Sequence, residues 1–396
     1  MSDSGWRSQT SSHSARSRTD REEGLTSSDV TDAVRGFGDP NVIRVTDPSQ
    51  LADLSREWLD LAARVPGTSY FQTPDWVLSW WETVGRKPFT ELATWRNSSG
   101  SLDGLMFLSR MRQRLHPRLG PAWPLWTATG SGGGMADHVG WPIVAERRDE
   151  AVRYLIRHTR GSTLFLQDLD PDTGVPLVPP GARRVIRNPC PRVALAPDES
   201  LSPDLRRART HLRRYEKKAD GAGISFRWVR NAEMDDRFLD RLFELHTLRM
   251  GEKGISSTFP STRDLQRRLI ARGTAGRGPI AFAAEKDRRI VGVLYFLRWG
   301  DTIAFYQSGW QPELAKLSLG RLLFNGAIRE ATADGLRTLD LLRGNEDYKY
   351  RLGGVDRWDE SWIIPGGGTG QLLKMFLPVY RFATRKVWTR PTPDVA

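Results

Sequence analysis

The sequence predicts a mixed α/β fold of the α+β kind, built as two similar halves whose mostly antiparallel sheets are flanked by helices. Three observations predict it. Residues 280–342 read as three strands, a helix and a fourth strand, an order that mixes hairpins with a crossover and argues against a doubly wound parallel sheet. Residues 42–169 run through a comparable order: a helical opening, paired strands, then helix and strand. The chain has 396 residues, 39% of them apolar and 27% charged, which suffices for roughly two domains with ordinary cores.

The elements follow in order. Residues 1–40 are rich in Ser and Thr, with isolated apolar residues (Trp6, Leu25, Val30), and are expected to form a disordered tail. The N-terminal half spans 41–197. A short strand at 42–45 precedes a helix opened by Asp47, Pro48 and Ser49, with Leu51, Leu54, Trp58 and Leu61 at helical spacing. Thr73 is a good N-cap and Pro74 a good first residue for a second helix carrying Trp76, Trp80 and Trp81. Strands follow at 92–96 and 102–112. A Gly-rich loop at 130–134 then leads to Asp137 and His138, a helix at 150–160 and a strand at 163–169.

Residues 198–223 form a basic helical linker. Leu205, Ala208, Leu212, Tyr215 and Ala219 make one apolar stripe, and Arg and Lys crowd the remaining face. The C-terminal half spans 224–365. It opens with a strand at 224–230 and helices at 236–249 and 263–272. Strands at 280–284, 289–298 and 301–310, a helix at 318–333 and a strand at 338–342 complete it. Residues 366–396 hold a basic amphipathic helix (Leu372, Met375, Phe376 and Val379, with Lys374, Arg381, Arg385 and Lys386) and a tail. Such a helix docks on its own domain more often than on a membrane surface, which is its other use. Pro378 kinks or breaks it.

Composition excludes several classes. One cysteine, Cys190, leaves no internal disulfide and no cysteine-cluster metal site. The six histidines include no H-E-x-x-H pair, so no metal is expected. No apolar run reaches about 18 residues and no signal-like apolar segment opens the chain, so the expected compartment is the cytoplasm. The 59 basic residues outnumber 47 acidic ones, for a net charge of +12. That balance suits RNA, an anionic co-substrate or an anionic membrane face, and it is equally a mark of arginine-rich composition.

Two clusters carry candidate chemistry. A strand ending in Gln307-Ser308-Gly309-Trp310 is followed by Ser318-Leu319-Gly320-Arg321 at a helix start. Ser318 suits an N-cap, Gly320 lets a ligand approach the first turn, and Arg321 adds charge. The turn therefore reads as a phosphate cradle or as an ordinary capped helix. The second cluster is Asp340, inside an apolar strand, with Arg343, Glu346, Asp347, Tyr348 and Lys349 beyond it. A carboxylate there needs a partner, and Arg343 or Lys349 would serve. The cluster reads either as a structural ion pair or as a base, an acid and an anion clamp.

Residues 318–323, SLGRLL, and 340–350, DLLRGNEDYKY, closely resemble two motifs of the CelD/FemAB-like acyltransferases of the GNAT (Gcn5-related N-acetyltransferase) superfamily, with Leu341 and Asn345 as variants. Residues 243–249 resemble that family's L-H-x-x-R helix and residues 70–76 its F-Q-[ST]-P-x-W entrance; the likeness covers roughly 42–365. It implies two GNAT-like halves. It implies no permanently bound cofactor and an acyl group taken from acetyl-CoA or another acyl-CoA, or, in the Fem branch, from aminoacyl-tRNA. The implied catalytic residues are Asp340, Arg343, Glu346, Tyr348, Lys349 and His246, the base being a carboxylate (Asp340 or Glu346) or His246. The implied donor-binding residues are Ser308, Ser318, Leu319, Gly320 and Arg321. Phe71, Gln72, Trp76, Asp137, His138 and Arg249 are the implied acceptor-binding residues. Cys190 lies far in sequence from these motifs, so a covalent acyl-cysteine is not expected.

Three functions follow as expectations. The first is acyl-CoA-dependent transfer to an amine or hydroxyl of a small molecule, glycan or envelope precursor. The others are transfer from aminoacyl-tRNA and a non-catalytic glycan- or partner-binding role. No DNA partner is expected, and tRNA is not favoured. The acceptor, the acyl group and the oligomeric state are not fixed by the sequence.

Overall fold

The computed structural model describes residues 39–85, 90–113, 123–131, 135–196, 203–368 and 370. The Ser- and Thr-rich segment up to residue 38 and the basic segment from 371 lie outside the described residues, as does most of the Gly-rich loop. Strand β1 (Asn41–Arg44) leads to helix α1 (Ala52–Arg64), which buries Trp58, Leu61 and Ala62. Thr73 caps helix α2 (Pro74–Trp80): its hydroxyl accepts the Trp76 N–H, and Pro74 fills the first turn as predicted. Strands β2 (Thr90–Arg96), β3 (Leu102–Gln113) and β4 (Trp123–Ala128) form an antiparallel meander. Helix α3 (Arg148–Thr159) then crosses over, and β5 (Leu164–Leu169) returns parallel to β4.

Strands β6 (Arg183–Pro189) and β7 (Arg192–Ala194) and the basic helix α4 (Pro203–Gly221) lead into the second half. Its order repeats the first: β8 (Ile224–Val229), α5 (Asp236–Glu252), α6 (Arg263–Arg272), then β9 (Arg277–Lys286), β10 (Arg289–Trp299) and β11 (Thr302–Trp310). Helix α7 (Leu319–Ala333) crosses over to β12 (Thr338–Asp340), again parallel to its neighbour. A short helix, α8 (Asp347–Arg351), and strand β13 (Trp358–Ile364) follow. Part of the charged cluster beyond Asp340, residues 347–351, is thus helical.

The first sheet has the order β1-β2-β3-β4-β5-β13-β6 and the second β7-β12-β11-β10-β9-β8. The duplication is visible in this topology. Strands β1 to β5 and β8 to β12 follow one plan, antiparallel until a last parallel pair. The two halves also trade strands. β13, from the end of the second half, lies between β5 and β6, while β7, from the first half, pairs with β12. The sequence boundaries at 197 and 365 therefore do not separate the sheets.

Alternation along β10 places the second sheet between two cores. Val293, Tyr295 and Leu297 pack with Phe238, Leu242 and Leu245 of α5 and with the first half. Leu294 and Phe296 face Leu319, Leu322 and Leu323 of α7 and Leu212 and Ala219 of α4. Helix α5 comes so close to β11 that a Cβ on Gly309 would overlap the α5 backbone at Leu245 and His246. Gly309→Ala is expected to cost about 1–3 kcal/mol by overpacking. In urea unfolding the midpoint should fall with the slope unchanged.

Candidate functional site

The pairing of β11 with β12 lasts three residues, from Thr302 opposite Thr338 to Ala304 opposite Asp340. Beyond it β11 runs on to Trp310 while the other chain turns away through Leu342, whose φ is 55°. A cavity of about 280 Å³ opens at this split. Phe305, Tyr306 and Gln307 line one side of it, Leu341 to Arg343 the other, and Glu346, Tyr348, Lys349 and Ser257 its rim. The Tyr306 hydroxyl donates to the Met135 carbonyl (3.0 Å), fixing that wall. In the first half no such split opens, because residues 139–144 resume the place of β4 beside β3, where Ile143 bridges Gly104. Val139 forms a parallel bridge to Leu169, its N–H donating to the Asp168 carbonyl (2.8 Å) and its carbonyl accepting from Asp170 (2.7 Å).

The start of α7 lies beside β11. Ser318 sits at the N-cap position but in left-handed backbone (φ 53°), and its side chain caps nothing, contrary to the sequence expectation. Its carbonyl accepts from Arg321 (2.9 Å) and Leu322 (3.1 Å), so the N–H groups of Leu319 and Gly320 precede the first intrahelical bond. Gly320 has a packing reason that the sequence concealed: a Cβ there would lie 2.8 Å from the Trp310 ring. The Arg249 guanidinium also packs on that ring (4.4 Å to the centroid) and pairs with Glu252 (2.8 Å). Arg249 therefore braces this corner rather than lining the cavity. The Arg321 side chain is exposed.

Behind the cavity lies a buried charge network. Asp340 pairs with Arg192 of β7 (2.5 Å) and with His138 Nε2 (3.0 Å), not with Arg343 or Lys349 as the sequence suggested. Its other oxygen accepts the Leu342 N–H (2.9 Å). His138 donates its ring Nδ1–H (2.8 Å) and its backbone N–H (2.6 Å) to Asp359 of β13. Arg343 spans Asp168 (2.5 Å) and Asp137 (3.2 Å), and Asn188 of β6 donates to Asp168 (2.8 Å). Arg357 pairs with Asp170 (2.7 Å). His138, Cys190 and Asp359 bring three ligand-type atoms within 4.8 Å of one another, but the His138 nitrogens are already committed to carboxylates. Burial pushes the Cys190 thiol far up, so it is inert.

Burial opposes the His138 imidazolium, but the Asp340 and Asp359 carboxylates outweigh it and hold His138 well above the ordinary histidine value. Burial also opposes the Asp340 carboxylate, and there His138 and Arg192 prevail and hold it well below the usual range. Asp340 is 1% exposed and ion-paired on both sides, which removes it as a base that an acceptor can reach. Lys349 is buried too. Its ammonium donates to the carbonyls of Leu342 (3.0 Å), Arg343 (2.7 Å) and Gly344 (3.3 Å) and pairs with Glu346 (3.1 Å). It holds the loop that forms the cavity wall.

Of the six candidate catalytic residues, Arg343, Glu346, Tyr348 and Lys349 line the cavity; Asp340 lies behind it and His246 beside it. Ser308 holds His246 through its carbonyl (3.1 Å) and is not otherwise at the cavity. The acceptor candidates of the first half are interior. Phe71 and Trp76 stack edge to face (4.8 Å), and Trp76 donates to the Gly130 carbonyl (3.1 Å). Gln72 donates to the His138 carbonyl (2.8 Å), while Asp137 and His138 belong to the buried network. Burial closes all five to a substrate. Ser257, which no motif marked, lines the cavity against His246.

Residues 206–350 match the family described as acetyltransferase (GNAT) domain. No curated protein sequence matches the chain. Among solved structures it is similar to FemX (TM-score 0.56, 10% identity, covering 81% of this chain and 96% of that one). It is also similar to the C-terminal domain of a putative lysylphosphatidylglycerol synthetase from Agrobacterium fabrum (TM-score 0.50, 11% identity, 83% and 96% covered). A conserved protein of unknown function from Bacteroides thetaiotaomicron is a third (TM-score 0.51, 11% identity, 82% and 99% covered). At such identities the likeness is one of fold. Residues 206–350 thus carry a GNAT-type acetyltransferase domain, and the chain as a whole shares its fold with FemX.

Two outcomes test the network. Asp340→Asn leaves the Arg192 and His138 cations short of a buried partner, and unfolding free energy should drop by about 3–5 kcal/mol. The raised His138 stabilises fully below about pH 6.5, the ordinary histidine value, and that contribution fades as pH climbs towards the folded value. Urea unfolding between about pH 6.5 and 9 should therefore show a decline in stability that His138→Gln removes.

Proposed function

We propose that the chain is an acyl-CoA-dependent, N-acetyltransferase-like enzyme acting on an amine or hydroxyl of a small molecule, a glycan or a cell-envelope precursor. One observation supports this most: the corresponding pairing in the first half continues through Val139 to Leu169, whereas β11 and β12 part after Ala304, beside a helix start with free N–H groups. The donor pyrophosphate rests at Leu319–Gly320, where helix-end N–H groups and the exposed Arg321 favour an anion. The pantetheine arm follows β11 beyond Ala304, where β12 no longer pairs with it. That path brings the thioester to the cavity, where an acceptor meets it and backbone N–H groups of β11 stabilise the developing oxyanion. The transfer is direct, consistent with an inert Cys190.

The exposed basic face of α4, carrying Arg213, Arg214, Lys217 and Lys218, favours the aminoacyl-tRNA alternative. The same charges suit an anionic acyl-CoA, and Leu212 and Ala219 beneath them are core residues of the second half. No helix among the described residues is long and apolar enough to cross a membrane. The basic C-terminal segment, read as docking on its own domain more often than on a membrane surface, lies outside those described.

Gly320→Val, the obvious probe of the cradle, would collide with Trp310, so Arg321→Ala is the better one. It removes a charge-assisted contact of about 1.5–3 kcal/mol from an exposed site, and acetyl-CoA affinity by isothermal titration should weaken roughly tenfold or more with the melting temperature kept. In filter binding with bulk tRNA at physiological salt, the expected dissociation constant is no tighter than about 1 μM, as for non-specific contact. Tighter binding, lost on Arg213→Glu with Arg214→Glu, would establish the tRNA donor instead.

A further inference from the structure

We propose that Ser257 and His246 form a proton relay at the cavity, the Ser257 hydroxyl taking the acceptor's proton as it hands its own to His246. The proposal rests on the acyl-transfer reading and adds a route for the proton. Ser257 Oγ lies 2.8 Å from His246 Nε2. On the opposite side of the ring, Nδ1 lies 3.1 Å from the Ser308 carbonyl. A carbonyl only accepts, so Nδ1 carries the hydrogen, Nε2 is the free acceptor, and Ser257 is the donor between them. The Phe259 N–H donates to the same Oγ (3.2 Å), which occupies one of its lone pairs and leaves one for a proton from the cavity.

The imidazole is 2% exposed and held edge-on against the Phe259 ring (5.1 Å between centroids). Ser257 is its outlet to the cavity, whose wall it forms. Burial, opposed by the Ser308 contact and assisted by Lys253, holds His246 below the ordinary histidine value, so it rests neutral and able to accept. The carboxylates nearby are engaged otherwise: Asp340 is sealed behind the cavity and Glu346 is paired with Lys349. Nucleophile-side hydroxyl, base and orienting carbonyl thus stand in line.

In the step itself the acceptor's N–H or O–H bond breaks and its proton passes to Ser257 Oγ while the Ser257 proton moves to His246 Nε2. The acceptor's electron pair forms the new bond to the thioester carbon. The carbon–sulfur bond breaks, and the thiolate leaves with its electrons. The His246 proton then returns through Ser257 to the thiolate.

A hydroxyl polarised this way reacts with a fluorophosphonate, losing its proton to His246 as fluoride departs. The full-length protein is treated with a fluorophosphonate and the labelled residue located by peptide mass spectrometry. The expected result is labelling of Ser257, absent in Ser257→Ala and at least tenfold slower in His246→Gln, with no acetyl group on Ser257 after incubation with acetyl-CoA. No label on Ser257, or an unchanged rate in His246→Gln, overturns the relay. A stable acetyl-Ser257 also overturns it, by making the serine the nucleophile. If His246→Gln does not fold, the neighbouring exposed Ser256 is the reference in the native protein: Ser257 must label at least tenfold faster. Isothermal titration with acetyl-CoA on the same sample separates the two ideas, since labelling without acetyl-CoA binding supports the relay and removes the acyl-CoA donor.

Discussion

The imidazole of His138 stands between two carboxylates that belong to different sheets, Asp340 at the end of β12 and Asp359 in the strand lent to the first sheet. Much else depends on that bridge. Asp340 also receives Arg192 and the Leu342 N–H, and the second of these bends the chain out of the sheet into left-handed backbone. Where β12 stops decides where β11 loses its partner, and so where the cavity begins. A buried set of charges paired within itself seldom gains much over an apolar core of equal volume, but it narrows the geometries available. Here it favours the opening of the split.

The two halves share a plan and differ at one place. In the first, the segment after β4 takes over the place of β4 beside β3 and bridges to β5 through Val139, carrying Asp137 and His138 inward. In the second, the split stays open. The first half therefore acts on the site from behind: Met135 anchors Tyr306, and Asp137 and Asp168 clamp Arg343. The acceptor-side residues that the family resemblance pointed to in the first half serve this support. Phe71 and Trp76 stack against Tyr306 at 6.3 and 5.9 Å, one layer below the cavity wall.

Periodicity made the helices and the hairpins of the second half legible, because apolar stripes at 3.6 and 2.0 residues are local properties. The Thr73-Pro74 cap was legible for the same reason. Asp340 was recognisable as a carboxylate in need of a partner, but that partner, Arg192, lies 148 residues away on a strand of three. Strand β13 escaped because its inward face carries Asp359 and Ser361, polar residues whose burial makes sense only inside the network. Gly320 looked like room for a ligand, and the Trp310 ring was the hidden neighbour. Ser257 stands in a loop with no pattern of its own, and only its contact with His246 marks it. A motif helix with a histidine was legible; its hydrogen-bonding partner across the loop was not.

The trading of strands also orders events during synthesis. β13 is an interior strand of the first sheet, flanked by β5 and β6, yet it follows every other described strand in the chain. Until residue 364 has emerged, β5 and β6 have no strand between them, and the facing edges of both carry unpaired backbone groups. Asp359 arrives with the same strand, so His138 waits for its counter-charge just as long. The N-terminal half of this chain cannot mature as a unit ahead of the C-terminal one, against the usual vectorial habit of multidomain proteins. A nascent chain halted in the second half presents an unfinished sheet to the cell, a natural target for chaperones and for quality-control proteases.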